Sequence, residues 1–432
     1  MELYQSLLEV ERSGEMIRVA LVGAGQMGEG LACQTELMHG MKIFAIADVR
    51  PGRAREVFAS AQVPSDDVVE TEDLGTAAAA VADGKRVATS NATILSQIPD
   101  IDIVVEATGV PEVGAQVAMD AILNRTHVLQ MNVETDATVG YILRSMAKSA
   151  DVVYTLTAGD EPGATMELYD FAKGLGFDVI CAGKGKNNPL NLHANPDSVA
   201  EKAQAQQMNP KMLASFVDGT KTMVEMTSLG NAIGYVPDVR GMNGPEATPK
   251  TIQEVFAPKD AGGVLNSRYV VDYGTGIAPG VFVVLTTDHP KLRRDLSYLS
   301  MGPGPYWALY RPYHLTSLET PVSIARAVLY GETTVATDQA PVVETVAFAK
   351  KDLKAGETID SLGGFTVYGM IDSAATARQE NMLPLGLAPG AVLKRDVPVD
   401  HPITYGDVEL NEDTTIFHLR SLQDQLITRE AK

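Results

Sequence analysis

The sequence predicts an α/β protein: a doubly wound parallel sheet, then an α+β catalytic and dimerisation region, then a small C-terminal β-rich unit. Three observations predict it. An apolar run, Ile17 to Val22, opens straight into Gly23-Ala24-Gly25-Gln26-Met27-Gly28. Strand-like runs then alternate with helical stretches as far as Leu156, the pattern of crossover-connected parallel strands. From about Val342 the pattern changes to short strands and turns.

The first strand, glycine turn and following helix (Glu29 to His39) lead to a second strand, Lys42 to Ala47, which ends in Asp48. Asp48 lies 20 residues beyond Gly28, so the order strand, G-x-G-x-x-G, helix, strand, acid is the full context of a dinucleotide-binding Rossmann unit. Gly23 makes the tight turn, Gly25 lets the backbone approach a pyrophosphate, and Gly28 lets helix and strand pack closely. Gln26 and Met27 open the helix whose free N–H groups face the phosphates. Asp48 favours the ribose hydroxyl of NAD. Arg50, Arg53 and Arg55 just beyond it suit the extra phosphate of NADP, or a solvated helix start. The two cofactors stay open at this point.

The alternation continues through a strand at Ile101 to Glu106 that ends at Thr108-Gly109, a helix from Pro111 to Asn124, and a strand from His127 to Asn132 with Glu134 just beyond. A helix from Ala137 to Ser149 and a strand at Val152 to Leu156 follow. Ligands of such sheets lie at the carboxyl ends of the strands, so Thr108, Gly109, Glu134 and Asp160-Glu161 are candidates for the nicotinamide side, each with a loop or cap role as the alternative.

Length and charge bound the rest. A chain of 432 residues exceeds one ordinary core of roughly 100–200 residues. The division expected is 1–158 for dinucleotide binding, 159–338 for the catalytic region and 339–432 for the β-rich unit and tail. Thirty-five basic against 55 acidic residues give a net charge of −20, which excludes nucleic acid and anionic membranes as main partners but not a small anionic substrate. Two cysteines, Cys33 and Cys181, without metal-ligand spacing exclude a disulfide scaffold and a structural zinc. No apolar run of about 18 residues occurs, and residues 1–12 read as a short amphipathic helix rather than a secretory signal, so the cytoplasm is expected.

The middle of the chain carries the chemistry. Thr157 to Gly163 leads into a helix, Ala164 to Lys173, with Asp160 and Glu161 at its start as caps, metal ligands or general acid/base groups. A strand, Asp178 to Ala182, is followed by Gly183-Lys184-Gly185-Lys186-Asn187-Asn188-Pro189. In so acidic a chain this reads as a basic turn that clamps a phosphate or carboxylate, or that offers a lysine as proton donor or base. A solvated loop is the alternative. Pro196 to Gln207 and Lys211 to Leu229 read as helices. Asp218, Lys221, Glu225 and Thr227 on the second form either an exposed charged face or a carboxylate brought over the cofactor. Strands are expected at Tyr269 to Tyr273 and Val281 to Leu285. The aromatic, Gly/Pro-rich stretch from Met301 to His314 holds the only Trp, Arg311 and His314. It reads as an active-site wall or lid, or as a core plug.

Val19 to Gly28, with Val104-Val105-Glu106-Ala107-Thr108-Gly109, resembles the cofactor domain of homoserine dehydrogenases. The Ala355 to Ile359 turn and the Ile403 to Val408 ending resemble a SAF domain. Joined through Gly159 to Gly163 and Gly183 to Pro189, the whole resembles the bacterial DXR-like reductoisomerase (DRL) family over nearly its full length. That resemblance implies NADPH-dependent conversion of 1-deoxy-D-xylulose 5-phosphate to 2-C-methyl-D-erythritol 4-phosphate, for isoprenoid precursors, with a divalent cation. The compact Asp-x-Glu metal motif of the pathway's well-known reductoisomerase has no match here. The residues assigned therefore rest on position: Lys184 and Lys186 with Asp160 and Glu161 for catalysis, Asn187, Asn188, Arg311 and His314 for substrate, and Asp160, Glu161 and Glu134 for Mg²⁺ or Mn²⁺. A homodimer or higher homo-oligomer is expected. The rival readings are an NAD(P)-dependent dehydrogenase or oxidoisomerase of a hydroxy acid or sugar acid, and a cofactor-binding sensor or assembly module.

Overall fold

A computed structural model of the chain describes residues 3–430. It divides into two compact units: Met1–Asp160, Leu315–Asp338 and His418–Lys432 form one, and Glu161–His314 with Gln339–Phe417 form the other. The linear division read from the sequence differs in two respects. Residues 315–338 and the C-terminal helix return to the first unit, and the β-rich residues of the C-terminal third pack with the middle of the chain in the second.

The first unit is built on seven strands: β1 (Ile17–Val22), β2 (Met41–Ala47), β3 (Val68–Glu70), β4 (Arg86–Thr89), β5 (Ile103–Glu106), β6 (His127–Gln130) and β7 (Tyr154–Leu156). All are parallel, in the order β3-β4-β2-β1-β5-β6-β7. Val19, Leu21, Ile43, Ile46, Ile103, Val105 and Leu129 are buried in its core. The near-continuous apolar strands suit a sheet covered on both faces. Strand order reverses between β1 and β5, which makes the loops after these two strands the ligand crevice. Their backbones touch: a Cβ on Gly23 would lie 2.8 Å from the Ala107 carbonyl carbon. β3 and β4, absent from the sequence reading, are three and four residues long.

The second unit holds a five-stranded sheet of β8 (Asp178–Lys186), β9 (Val236–Pro237), β10 (Val270–Thr275), β11 (Val281–Thr286) and β12 (Tyr306–Arg311), in the order β12-β11-β8-β10-β9. β8 is central, parallel to β10 and antiparallel to β11. The helices Glu161–Gly174 and Thr220–Ile233 pack on one face through Ala172, Met223, Met226 and Leu229, against Val179, Ala182, Val271 and Val283. One sequence expectation is corrected here. The helix read as Lys211 to Leu229 is two helices, Pro210–Val217 and Thr220–Ile233, because Gly219 at φ +88° turns the chain between them. In the stretch from Met301 to His314, Tyr306–Arg311 form an edge strand and Trp307 is fully buried, in keeping with the core-plug reading.

In the C-terminal part, β13 (Val343–Ala349) pairs antiparallel with β14 (Val367–Ser373), and β15 (Val392–Leu393) with β16 (Val408–Glu409). The β13–β14 hairpin lies on the helix Thr220–Ile233. Thr227 and Thr345 share a hydroxyl hydrogen bond of 2.7 Å, Asn231 Nδ2 donates to the Val343 carbonyl, and the Gly369 amide donates to Thr220 Oγ1. Among the described residues, no helix is long and apolar enough to cross a membrane.

Candidate active site

The first unit assembles every residue of the expected dinucleotide site at the crevice. Gly23 has φ +99°, reached without strain only by glycine. A Cβ on Gly28 would sit 2.1 Å from the Gly23 carbonyl oxygen, so this position must be bare for the helix Gln26–Glu36 to meet β1. A Cβ on Gly25 meets nothing within 4 Å. Gly25 caps the helix without a side-chain bond, so no cap side chain occupies the first N–H groups of the helix.

Asp48 departs from a plain ribose-binding acid. Its Oδ1 accepts from the Arg50 amide and Nε, and its Oδ2 from the Ala24 amide and Arg50 Nη2, all at 2.8–2.9 Å. Against partial burial, these bonds hold its carboxyl down at about 2. All four lone-pair directions of the carboxylate are filled, while the Arg50 side chain is 58% exposed. Arg53 is drawn to the Ala24 carbonyl and Glu29, and Arg55 to the carbonyls of Ser65 and Val68. Arg53 opens the helix Arg53–Ser60, and both side chains are partly exposed at its start.

After β5, the Thr108 amide donates to Glu106 and Gly109 takes φ +71°. Glu106 is fully buried and also accepts from Gln130 Nε2 at 2.9 Å. Burial pushes its carboxyl up to about 7, in spite of the bonds from Thr108 and Asn132. The sequence had offered it only as part of a strand. Glu134 lies in the first turn of the helix Val133–Ser149.

In the second unit, the Gly-Lys-Gly-Lys segment is the buried end of a central strand and not a turn. Its period-two pattern sorts the residues. A Cβ on Gly183 would lie 2.0 Å from the Asp272 carbonyl oxygen, and one on Gly185 2.4 Å from the Ala278 amide nitrogen. The glycines thus serve close backbone approach on one face, and the lysines are directed to the other, beneath the two helices. The loop expectation failed because lysine and glycine are poor strand formers, whereas here each answers a local packing demand.

The Lys184 ammonium is bonded to Glu161, at the start of the helix Glu161–Gly174, and to Glu225, on the helix Thr220–Ile233. Burial works against its charge, but the two carboxylates outweigh it and raise its pKa. Burial and then Glu161 push the Glu225 carboxyl up, since two acids share one ammonium. Glu225 is 2% exposed. The sequence pattern gave it an exposed charged face as one reading; the β13–β14 hairpin covers that polar side of the helix. The signal that could have found it was a glutamate amid Thr, Ser and Asn on an otherwise apolar helix.

Lys186, one pleat farther, donates from Nζ to the Phe216 carbonyl at 2.5 Å. Burial first, then the charge of Lys184, push its ammonium down to about 8, against the pull of Asp218 and Glu225. His314 Nε2 lies 3.6 Å from Glu161. Asp160, the covalent neighbour of Glu161, joins these two in a group whose ligand atoms all lie within 4.8 Å of one another. That group does not include Glu134. Arg311 shares a row of the sheet with Lys184, through Val281, but is paired with Glu167 at 3.1 Å. Asn187 is exposed, and Asn188 accepts from Lys202 at 2.6 Å.

Residues 159–320 match the model of the oxidoreductase DRL catalytic domain, and residues 344–409 match the SAF domain. The chain carries a DRL catalytic domain followed by a SAF domain. The buried lysine strand, Glu161, Glu225, Arg311 and His314 all lie within the DRL match, and the β13–β14 hairpin within the SAF match. No curated protein sequence matches the chain. Among solved structures, a "probable dehydrogenase" from Thermotoga maritima is 14% identical, covering 73% of this chain and 90% of its own, with a TM-score of 0.41. An oxidoreductase from Agrobacterium radiobacter, solved with NAD⁺, L-tartaric acid and magnesium, is 13% identical, covering 74% and 92%, with a TM-score of 0.39. Scyllo-inositol dehydrogenase from Lactobacillus casei, solved with NAD(H) and scyllo-inositol, is 14% identical, covering 63% and 74%, with a TM-score of 0.35. Likeness at this level bears on neither substrate nor mechanism.

Proposed function

We propose that the protein is an NADP-dependent oxidoreductase that works on a carbonyl or alcohol of a small anionic substrate at the Lys184–Lys186 cluster. The observation that carries this reading is Lys186: a buried amine at the end of a central strand, poised near pH 8, beside a lysine already neutralised by two carboxylates. A general acid or base works best with its pKa near the operating pH.

The crevice of the first unit fits a nicotinamide dinucleotide, with the bare Gly25, the open helix N-terminus and the closed Gly23–Gly28 contact. Arg50 favours NADP, because its exposed guanidinium covers a carboxylate that has no acceptor left for a ribose hydroxyl. A bound nicotinamide would supply the hydride for a substrate carbonyl or accept it from an alcohol. Lys186 would then give a proton to the carbonyl oxygen in reduction, or take one from the alcohol in oxidation. Lys184 would hold Glu161 and Glu225 in place, and its charge adds to burial in lowering its neighbour's pKa. Asp160, Glu161 and His314 offer two carboxylates and an imidazole, a donor set that suits Mn²⁺ better than Mg²⁺. A divalent ion there would supply Lewis acidity toward substrate oxygens.

The finer reading is reductive rearrangement of 1-deoxy-D-xylulose 5-phosphate to 2-C-methyl-D-erythritol 4-phosphate, supported by the DRL catalytic domain over residues 159–320. A second reading, an unrearranged oxidation or reduction of a hydroxy acid or sugar acid, is favoured by one observation. Lys184 and Arg311 are both paired with carboxylates, which leaves no ready clamp for a phosphate dianion. Product analysis by NMR after NADPH oxidation with deoxyxylulose phosphate and Mn²⁺ separates the two. A branched carbon skeleton supports the first, and oxidation confined to hydroxy-acid or sugar-acid couples supports the second. Tight NADPH binding without turnover on either class would contradict both.

A further inference from the structure

The SAF domain has no catalytic constellation of its own, yet it places one charged group deep in the second unit. Lys350, directly after β13, is 4% exposed. Its ammonium makes three bonds of 2.8 Å, to Asp218 Oδ2 and to the carbonyls of Ala194 and Gly364. Asp218 is fully buried, and its other oxygen accepts the Thr220 amide at 2.8 Å. Asp218 is therefore fixed from both sides, by the SAF lysine and by the first turn of the helix that carries Glu225. The same short connection, Phe216 to Thr220, supplies the carbonyl that receives Lys186 and the hydroxyl that receives the Gly369 amide.

We propose that the SAF domain is a positioning clamp for the reacting lysine, in which Lys350, through Asp218, fixes the Phe216–Thr220 connection that holds Lys186. Lys350 and Asp218 are positioning residues; neither needs to touch substrate. The inference rests on the reading of Lys186 as the proton-transfer group.

The charges bearing on Lys186 give the clamp a measurable signature. They are Lys184 on its own strand, Asp218 at the connection, Glu225 on the helix Thr220–Ile233 and Lys202 on the helix Ala200–Ala205. Lys350 stands behind Asp218 and cancels its charge. Removing Lys350 leaves Asp218 uncompensated, which favours the charged form of Lys186. Removing the Asp218 charge leaves Lys350 uncompensated, which disfavours it.

The test is an NMR titration of the full chain labelled with [ε-¹³C]lysine, the Lys186 signal being assigned by its loss in Lys186→Met. Lys350→Met is expected to raise the Lys186 titration midpoint by about one pH unit, and Asp218→Asn to lower it by a similar amount. Midpoints that stay put, or move in the same direction, in variants with intact melting transitions would overturn the clamp. Should Lys350→Met fail to fold, Lys350→Arg, which keeps the charge but not the three ammonium bonds, decides: a Lys186 midpoint moved toward the ordinary 10.5 supports the clamp, and an unmoved midpoint overturns it. The readout needs no substrate, so a failed activity assay beside the expected shifts would count against the proposed reaction and not against the clamp.

Discussion

Lys184 and Glu225, 41 residues apart in sequence, form a fully buried ion pair between a central strand and the helix that covers it. Glu161 shares the same ammonium from a second helix. Replacing one member of such a set leaves a buried charge short of its partner. Lys184→Met is expected to cost about 3 kcal/mol, because it leaves Glu161 and Glu225 buried without their ammonium, and thermal unfolding measures it. An unchanged melting temperature would mean that the pair contributes nothing to stability.

Lys186 sets a pH dependence. With its ammonium titrating at about 8, carbonyl reduction should fall off as pH rises through that value, and the alkaline limb should vanish in Lys186→Met together with at least about 100-fold of kcat. Stability follows the opposite course. The folded pKa lies below the ordinary 10.5, so between about 8 and 10.5 the unfolded chain binds more protons and folding gains with rising pH. Wild type should gain about 3 kcal/mol over that window relative to Lys186→Met, as read by urea unfolding at several pH values.

The two glycines of the dinucleotide turn should fail in different ways. A methyl on Gly28 meets the Gly23 carbonyl at 2.1 Å, so Gly28→Ala is expected to lose about 1–3 kcal/mol of stability. A methyl on Gly25 meets nothing within 4 Å, so Gly25→Ala should melt like wild type yet bind NADPH at least about tenfold more weakly, because the methyl takes the space of the pyrophosphate. Calorimetry of both variants separates the effects. Equal NADPH affinity in Gly25→Ala would argue against a dinucleotide at that turn.

Arg50 should govern the choice of cofactor. Arg50→Ala removes the guanidinium and with it two of the four hydrogen bonds on Asp48, one on each oxygen. The KM for NADPH is expected to rise about tenfold while that for NADH falls, since a freed Asp48 accepts a ribose hydroxyl and repels a phosphate. A preference left unchanged would remove Arg50 from the cofactor site.

The legible parts of the chain were those in which a local pattern and its physical demand coincide. The Gly23 to Gly28 turn, Asp48 and the central strands of the first sheet are of this kind, because the apolar runs and the glycine spacing are themselves the structure. What escaped was set by distant partners. Lysine and glycine at positions 183–186 read as a loop until Asp272 and Ala278 are seen pressing on the glycines. Glu225 sits on a polar helix face that only the β13–β14 hairpin, more than 100 residues later, turns into an interior. Asp218 and Lys350 meet across 132 residues, and neither position announces the other.

The measurement that tests the central claim most directly is NADPH oxidation with 1-deoxy-D-xylulose 5-phosphate and with a panel of hydroxy- and sugar-acid couples, in the presence of Mn²⁺, on wild type and Lys186→Met side by side. The account predicts turnover by wild type on one of these classes and its loss, with retained NADPH binding, in the variant. Turnover by Lys186→Met at the wild-type rate would contradict it.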